Sequence, residues 1–268
     1  MSVMLGRAPT WREGGALLAN ALRASACAGA RTRGRDLCAS PRADSARATA
    51  SSVTAGGAGQ QRALTLVQHK PYSFLSPSTA PRGNKRFAIE LLTAANKHGG
   101  GRAHPDPSRV RGLTCAGRLD ADSTGLMLWT TDARLAEHVI SARSRLEKEY
   151  LVRVQGHADW SQAGRDGVIE FMRSGGVHLD GAPLRPARAK WLNEAQLQIV
   201  LTEGRHRQIR RMCAIVGLEV TALKRVRIGP IALRSLPVGR WTILPPSMED
   251  RLVVEMARGR GGRQRDPD

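Results

Sequence analysis

The stretch Ala116-Gly117-Arg118-Leu119-Asp120-Ala121-Asp122-Ser123-Thr124-Gly125-Leu126-Met127-Leu128-Trp129 decides how the rest of the chain is read. Its second half, Leu126 to Trp129, is an unbroken apolar run of strand length and reads as a buried strand. Its first half sets Asp120 behind an Arg-Leu pair, with Asp122, two hydroxyls and Gly125 following. An acid on a tight turn that feeds buried structure is held rigidly, and a reacting carboxylate needs that.

A buried strand needs partners, and the chain supplies them on both sides. Leu64 to His69 reads as a strand that Pro71 ends, since proline cannot continue a ladder. Glu147 to Val154 alternates polar and apolar residues, as a half-buried strand does. Further strands fit Leu197–Leu201, Val220–Ile228 and Trp241–Leu244. Val177–Leu179, Asp180-Gly181 and Leu184 onward suggest a hairpin with Asp-Gly at its tip. Helices are expected over Phe87–Asn96, from Asp132 to about Ala142 with Asp132 as the cap, over Trp160–Arg173, over the segment from Glu203 to near Gly217 with its arginines within one or two helical turns, and from Pro245-Pro246 to about Met256. Many strands with few helices between them give an α+β class: a mixed, mostly antiparallel central sheet with flanking helices and loops.

The composition narrows the partner. The 268 residues carry a formal net charge of +19 and a pI near 11.3, which points to a polyanion, with nucleic acid the default. No apolar segment has spanning length, so a membrane partner is not expected. Cys27, Cys38, Cys115 and Cys213 form no CxxC pair, so neither a zinc ribbon nor a disulfide framework is indicated, and free buried thiols are expected. Aromatic residues make up only 4% of the chain, too few for an RNA-recognition sheet that stacks bases across its face. His98 and His104 sit in a Gly/Pro-rich loop over His98–Arg109 with no acids or thiols clustered beside them, and read as solvated. Trp129 and Trp191 read as core.

The chain divides by texture. Residues 1–61 are rich in Ala, Ser, Gly and Arg, with Glu13, Asp36 and Asp44 the only acids. That is the composition of an organellar transit peptide, plastid or mitochondrial, or else of a disordered tail with no address, which would leave the protein in the cytoplasm. Residues 62–257 form the expected catalytic domain, and 258–268 a basic Gly-rich tail.

Two groups of cations stand out. Arg205, Arg207, Arg210 and Arg211 follow a strand at once, and Lys224, Arg225 and Arg227 come shortly after. Guanidinium groups with an apolar helix face behind them make a phosphate grip, because the fork pairs bidentately with phosphate. The solvated-face reading is weakened by the position at a strand-to-helix junction.

Asp120, Asp122 and Thr124 spell Asp-x-Asp-x-Thr, the signature of haloacid-dehalogenase-type phosphotransferases. That chemistry needs a strongly apolar strand before the first acid and a distal acidic pair for magnesium. Cys115 to Leu119 makes a poor buried strand, and no Asp-Asp pair follows downstream. A turn with capping acids is the plain structural alternative.

Taken together, Gly117-Arg118-Leu119-Asp120, Ser123-Thr124-Gly125-Leu126, Lys148-Glu149-Tyr150 and Glu203-Gly204-Arg205-His206-Arg207-Gln208-Ile209-Arg210-Arg211-Met212 resemble the ordered motifs of the pseudouridine synthases. Lys70-Pro71-Tyr72 and Arg225-Val226-Arg227-Ile228-Gly229-Pro230 resemble the RsuA-like branch, which modifies ribosomal RNA. The likeness runs from about Leu64 to Leu244. Each motif alone is weak, and the set in order is specific.

The resemblance implies an enzyme that isomerises uridine in RNA, ribosomal RNA above all, without cofactor or metal; a monomer is expected. It implies Asp120 as the reacting carboxylate, Arg210 as the arginine that pairs with it, and Tyr150 as the ring that stacks on the displaced base. A carboxylate can serve as nucleophile or as base, an arginine fixes its direction, and a tyrosine offers a rigid π face. RNA contacts are expected from Lys70, Arg118, Arg205, Arg207 and Arg211, because extruding a base requires a firm backbone grip. His206 is given no role. Residues 1–61 lack the helix and strand pattern of the small RNA-binding domain that many RsuA-like enzymes carry, so that domain is expected to be absent. A non-catalytic RNA-binding or ribosome-assembly factor on the same fold is the rival reading.

Overall fold

A computed structural model describes residues 63–77, 84, 86–99, 106–156, 161–175 and 177–261. The expected transit peptide, His104, Cys27, Cys38, Trp160 and the last residues of the basic tail lie outside the described residues.

Among the described residues the centre is a mixed sheet of nine strands. In chain order these are β1 (Thr65–Lys70), β2 (Thr114–Ala116), β3 (Thr124–Thr130), β4 (Lys148–Gly156), β7 (Arg188–Asn193), β8 (Gln196–Leu201), β9 (Leu218–Ile228), β10 (Ile231–Ala232) and β11 (Trp241–Ile243). The spatial order is β11-β1-β3-β9-β4-β8-β7, with β2 joined to β3 and β10 to β9. Only the β3–β9 pairing is parallel. The short hairpin β5 (His178–Leu179) and β6 (Ala182–Pro183) stands apart. Its tip is the expected Asp180-Gly181 pair, with φ of 55° and 76°, the left-handed geometry that a tight hairpin turn requires.

The strand over Leu126–Trp129 sits where the apolar run put it. Period-two alternation sends Leu126 and Leu128 to one face and Met127 and Trp129 to the other, all fully buried. On the first face they meet Leu135 and Val139 of α1 (Ala133–Ile140) and Leu252 of α4 (Pro246–Gly261). On the second they share a core with Phe171 and Met172 of α2 (Gln162–Ser174) and Ile209 and Met212 of α3 (Gln208–Ile215). Asp132 caps α1 as expected, its Oδ1 accepting from the amides of Arg134 at 2.8 Å and Leu135 at 3.2 Å. Trp129 is core and donates to Gln68 Oε1 at 2.9 Å. Trp191 packs against the core edge with Arg165 over its ring. No helix among the described residues is long and apolar enough to cross a membrane.

Three element expectations are corrected. Phe87–Asn96 is not one helix but two 3-10 turns, Ala88–Leu91 and Ala94–Asn96, parted by extended Thr93. Tertiary donors take the carbonyls that a continuous helix would use: Gln68 Nε2 binds Ala88 O at 2.8 Å and Trp241 Nε1 binds Thr93 O at 2.7 Å. The ends are tied as well, by strand-like bridges from Leu75 to Phe87 and from Lys97 to Trp241. Secondly, α3 starts at Gln208, so Arg205 and Arg207 precede the helix rather than lying on it. Thirdly, the last helix continues past Met256 to Gly261, into the expected tail.

Candidate active site

The turn that carries Asp120 is assembled from below. Lys70, at the end of β1, is fully buried. Its Nζ donates to the carbonyls of Ser123 at 2.7 Å, Pro71 at 3.0 Å and Ala121 at 3.5 Å. Burial pulls its pKa down to about 8, against the opposing pull of Asp122 and Asp120. Lys70 was expected to touch RNA. It is instead walled off, because its register opposite Gly125 aims it under the turn.

Arg225 works on the other flank. It occupies an inward position of β9 and is 2% exposed. Its Nε donates to Leu126 O at 2.8 Å, Nη2 to Gly117 O at 3.0 Å and Nη1 to Arg118 O at 3.2 Å. These bonds bracket Asp120 on both sides in sequence. Gly125 allows the approach: a Cβ there would sit 2.6 Å from Arg225 N and closer still to its carbonyl oxygen, and its φ is +110°. Two buried cations thus fix the turn through its carbonyl oxygens.

The two carboxylates of the turn then have different surroundings. Asp122 Oδ2 lies 2.9 Å from Arg207 Nη1 and 3.3 Å from Arg210 Nε. Arg210 also donates to Asp122 O and to Val220 O, each at 2.8 Å. Asp120 Oδ2 has its nearest cation, Arg207, at 3.9 Å, and the Asp120 side chain is 32% exposed. The expected partnership of Arg210 with Asp120 is therefore not what this structure holds: Arg210 meets Asp122. The reason is geometric, since two of its donors are tied to backbone carbonyls and the remaining Nε faces the second acid. Arg207 and Arg210, three residues apart, converge on the same carboxylate.

Tyr150 is on β4, opposite Arg225 of β9, which in turn is opposite Gly125 of β3. Two strand spacings, about 10 Å, separate Tyr150 from the base of the turn. Its side chain is 8% exposed and shares an apolar cluster with Leu119, the residue before Asp120, and with Ile209 of α3. Asp120, Tyr150 and the start of α3 are thus brought to one end of the sheet, on the α3 face.

The expected phosphate grip is only partly available. Arg205 spends its guanidinium on Leu179 O at 2.7 Å, Ala182 O at 2.9 Å and Pro183 O, lashing the β5–β6 hairpin to the loop before α3. Arg211 forks onto Asp180 at the hairpin tip, at 2.8 and 2.9 Å. Arg118 is exposed, and its guanidinium makes no hydrogen bond or ion pair with the described residues. Asp122 as the arginine anchor and Arg225 as the loop support were missed from sequence. The detectable signal was a charged residue at an inward position of an alternating strand. Cys213 is a buried free thiol whose pKa burial pushes up to about 12, so it stays protonated.

A family model described as RNA pseudouridylate synthase matches residues 65–215. The chain belongs to that family. Its members are isomerases acting on uridine in RNA, and the turn, Tyr150 and α3 lie inside the matched span or at its edge. The chain is 39% identical over 164 residues to ribosomal large subunit pseudouridine synthase E of Xanthomonas campestris, covering 53% of this chain and 80% of that one. It is 34% identical over 192 residues to ribosomal large subunit pseudouridine synthase B of Salmonella typhi, and the match spans 64% of each chain. A solved structure described as a pseudouridylate synthase superposes with a TM-score of 0.58 at 25% identity, over 71% of this chain and 74% of that one. The α+β architecture expected from the strand pattern is the pseudouridine synthase fold.

Proposed function

We propose that this chain converts uridine in ribosomal RNA to pseudouridine, with Asp120 as the reacting carboxylate. The observation that carries it is the contrast between the two acids of the turn. Asp122 is held by Arg207 at 2.9 Å and by Arg210 at 3.3 Å, while Asp120, similarly exposed, has its nearest cation at 3.9 Å, on a backbone that Lys70 and Arg225 hold rigid. A pure RNA binder gains nothing from presenting a carboxylate to a polyanion, so this arrangement favours catalysis over the rival reading of a binding or assembly factor.

Asp120 would act at the ribose of a uridine that has left its stack. The bond from C1′ to N1 breaks, either through attack of the carboxylate on C1′ or through removal of the C2′ proton to give a glycal. The freed base turns over and C5 bonds to C1′, as the carboxylate–C1′ ester breaks in the first route or C2′ regains its proton in the second; the C5 proton is then lost and N1 gains one. Tyr150 supplies a flat apolar wall for the turning base. Arg118 is the cation placed to meet a phosphate, and Arg207 borders the site while its guanidinium holds Asp122. Arg205 and Arg211 contribute by holding the hairpin beside them. The E-type and B-type relatives are named for the large ribosomal subunit, which favours large-subunit RNA as the substrate.

The test is Asp120→Ala assayed by carbodiimide mapping of ribosomal RNA from cells carrying only that variant. Loss of at least one pseudouridine, restored by the wild-type gene, is expected. Persistence of every site would overturn the enzymatic reading.

Residues 1–61 are proposed to direct the protein to a plastid or mitochondrion, on their Arg-rich, acid-poor composition. Fused to a fluorescent reporter they should give an organellar signal, and a diffuse one would end that proposal. Light scattering of the purified chain should give a monomer mass.

A further inference from the structure

Tyr72 follows the Lys70-Pro71 pair at the end of β1 and is 64% exposed. Among the described residues it is the only aromatic side chain so open to solvent. A lone exposed aromatic is common on protein surfaces and by itself means little. The backbone around this one sets it apart. Ser73 N donates to Ala121 O at 2.8 Å, the carbonyl of the residue after Asp120. Lys70 Nζ holds Pro71 O at 3.0 Å and reaches the same Ala121 carbonyl at 3.5 Å. Proline fixes its own φ, and Ser73 is held at a φ of 69°, a conformation non-glycine residues rarely adopt. The turn that presents Tyr72 is thus riveted to the turn that presents Asp120. Arg118, three positions from Ala121 along that second turn, offers an exposed guanidinium with no hydrogen bond or ion pair among the described residues.

We infer that Tyr72 is a stacking platform for the nucleobase adjacent to the reacting uridine. The inference rests on the proposed RNA substrate and adds to it a residue that selects which uridines react. Extruding a uridine leaves its neighbour without a stacking partner. An aromatic ring carried on a held backbone at the rim of the site replaces that partner at modest entropic loss, because only its two side-chain torsions remain to be ordered. Stacking of this kind tolerates any base and favours single-stranded or distorted segments over continuous duplex. Tyr72 therefore biases the enzyme toward uridines in loops and bulges.

The experiment compares the full chain as wild type, Tyr72→Phe and Tyr72→Ala, on large-subunit ribosomal RNA extracted from cells lacking this gene. Pseudouridine formation is followed over a range of RNA concentrations. Tyr72→Phe keeps the ring and should match wild type. Tyr72→Ala should raise KM about tenfold, within the range that base–aromatic stacking supplies, with kcat within about twofold. Thermal melts of all three should coincide, because the side chain is exposed. A Tyr72→Ala variant with unchanged KM, or a Tyr72→Phe variant as impaired as Tyr72→Ala, would overturn the stacking role. An inactive wild type that still binds the RNA would instead sink the enzymatic reading, and the platform's catalytic purpose with it.

Discussion

Arg207 and Asp122 face each other at 2.9 Å, and this pair, rather than any bond to Asp120, aligns the loop before α3 with the turn that follows β2. Arg207 stands at the N-terminal boundary of α3 with a left-handed φ of 50° and ψ of 32°, which swings its side chain back over that turn. Arg210 reaches the same carboxylate from one helical turn further on.

Removing the shared carboxylate should therefore disturb both arginines at once. Asp122→Ala is expected to lower kcat about tenfold or more and to destabilise the fold by on the order of 1–3 kcal/mol, since Arg210 is left partly buried without its counter-charge. Circular-dichroism melts and single-turnover assays measure the two effects. A neutral result in both would show that Asp122 anchors nothing.

Gly125→Ala is expected to be among the most damaging single changes in the sheet. The added Cβ meets the Arg225 backbone between the parallel strands β3 and β9, and φ is unfavourable for any side chain. A loss on the order of 3 kcal/mol or more is expected. Chemical denaturation reads it directly. An unchanged midpoint would mean that these strands can part without consequence.

Lys148 gives a pH test. It is buried, its Nζ donates to Leu146 O at 3.2 Å, and burial, helped by the Arg225 charge, lowers its pKa from 10.5 to about 8. Below the folded value the lysine is charged in both states, and the desolvation penalty is present in full. Above it the folded chain gives up the proton while the unfolded chain keeps it, so stability from this group rises with pH until the unfolded lysine also titrates. Lys148→Met lacks the penalty. Its advantage over wild type should shrink by on the order of 1–3 kcal/mol between about pH 8 and 10. A gap that stays constant with pH would show that the folded lysine keeps its proton as the unfolded one does, so that burial does not lower its pKa.

RNA affinity should fall steeply with salt, because each phosphate contact releases counterions. Arg118→Ala should reduce the slope of log affinity against log salt by about 1. Arg211→Ala should leave that slope nearly unchanged, because its fork already holds Asp180. Filter binding across a salt series distinguishes them, and equal slopes for both variants would contradict the division of the arginines drawn from the structure.

The sequence by itself determined the local grammar. An unbroken apolar run placed β3, period-two alternation placed β4, Asp132 announced a helix start, Asp180-Gly181 announced a hairpin, and the ordered motifs pointed to the family. Each of these depends on a few consecutive residues, whose backbone preferences and buried face are set by neighbours in the chain. Tertiary structure alone decided what the cations do. Arg225 binds Gly117 across 108 positions, Arg210 binds the Asp122 carbonyl across 88, and Arg205 turns to a hairpin 22 to 26 positions away. A guanidinium serves a phosphate, a carboxylate or a row of carbonyls equally well, and composition cannot say which stands within reach. The same indifference broke the expected helix at Phe87–Asn96, whose apolar spacing was compatible with a helix until Gln68 and Trp241 took its carbonyls.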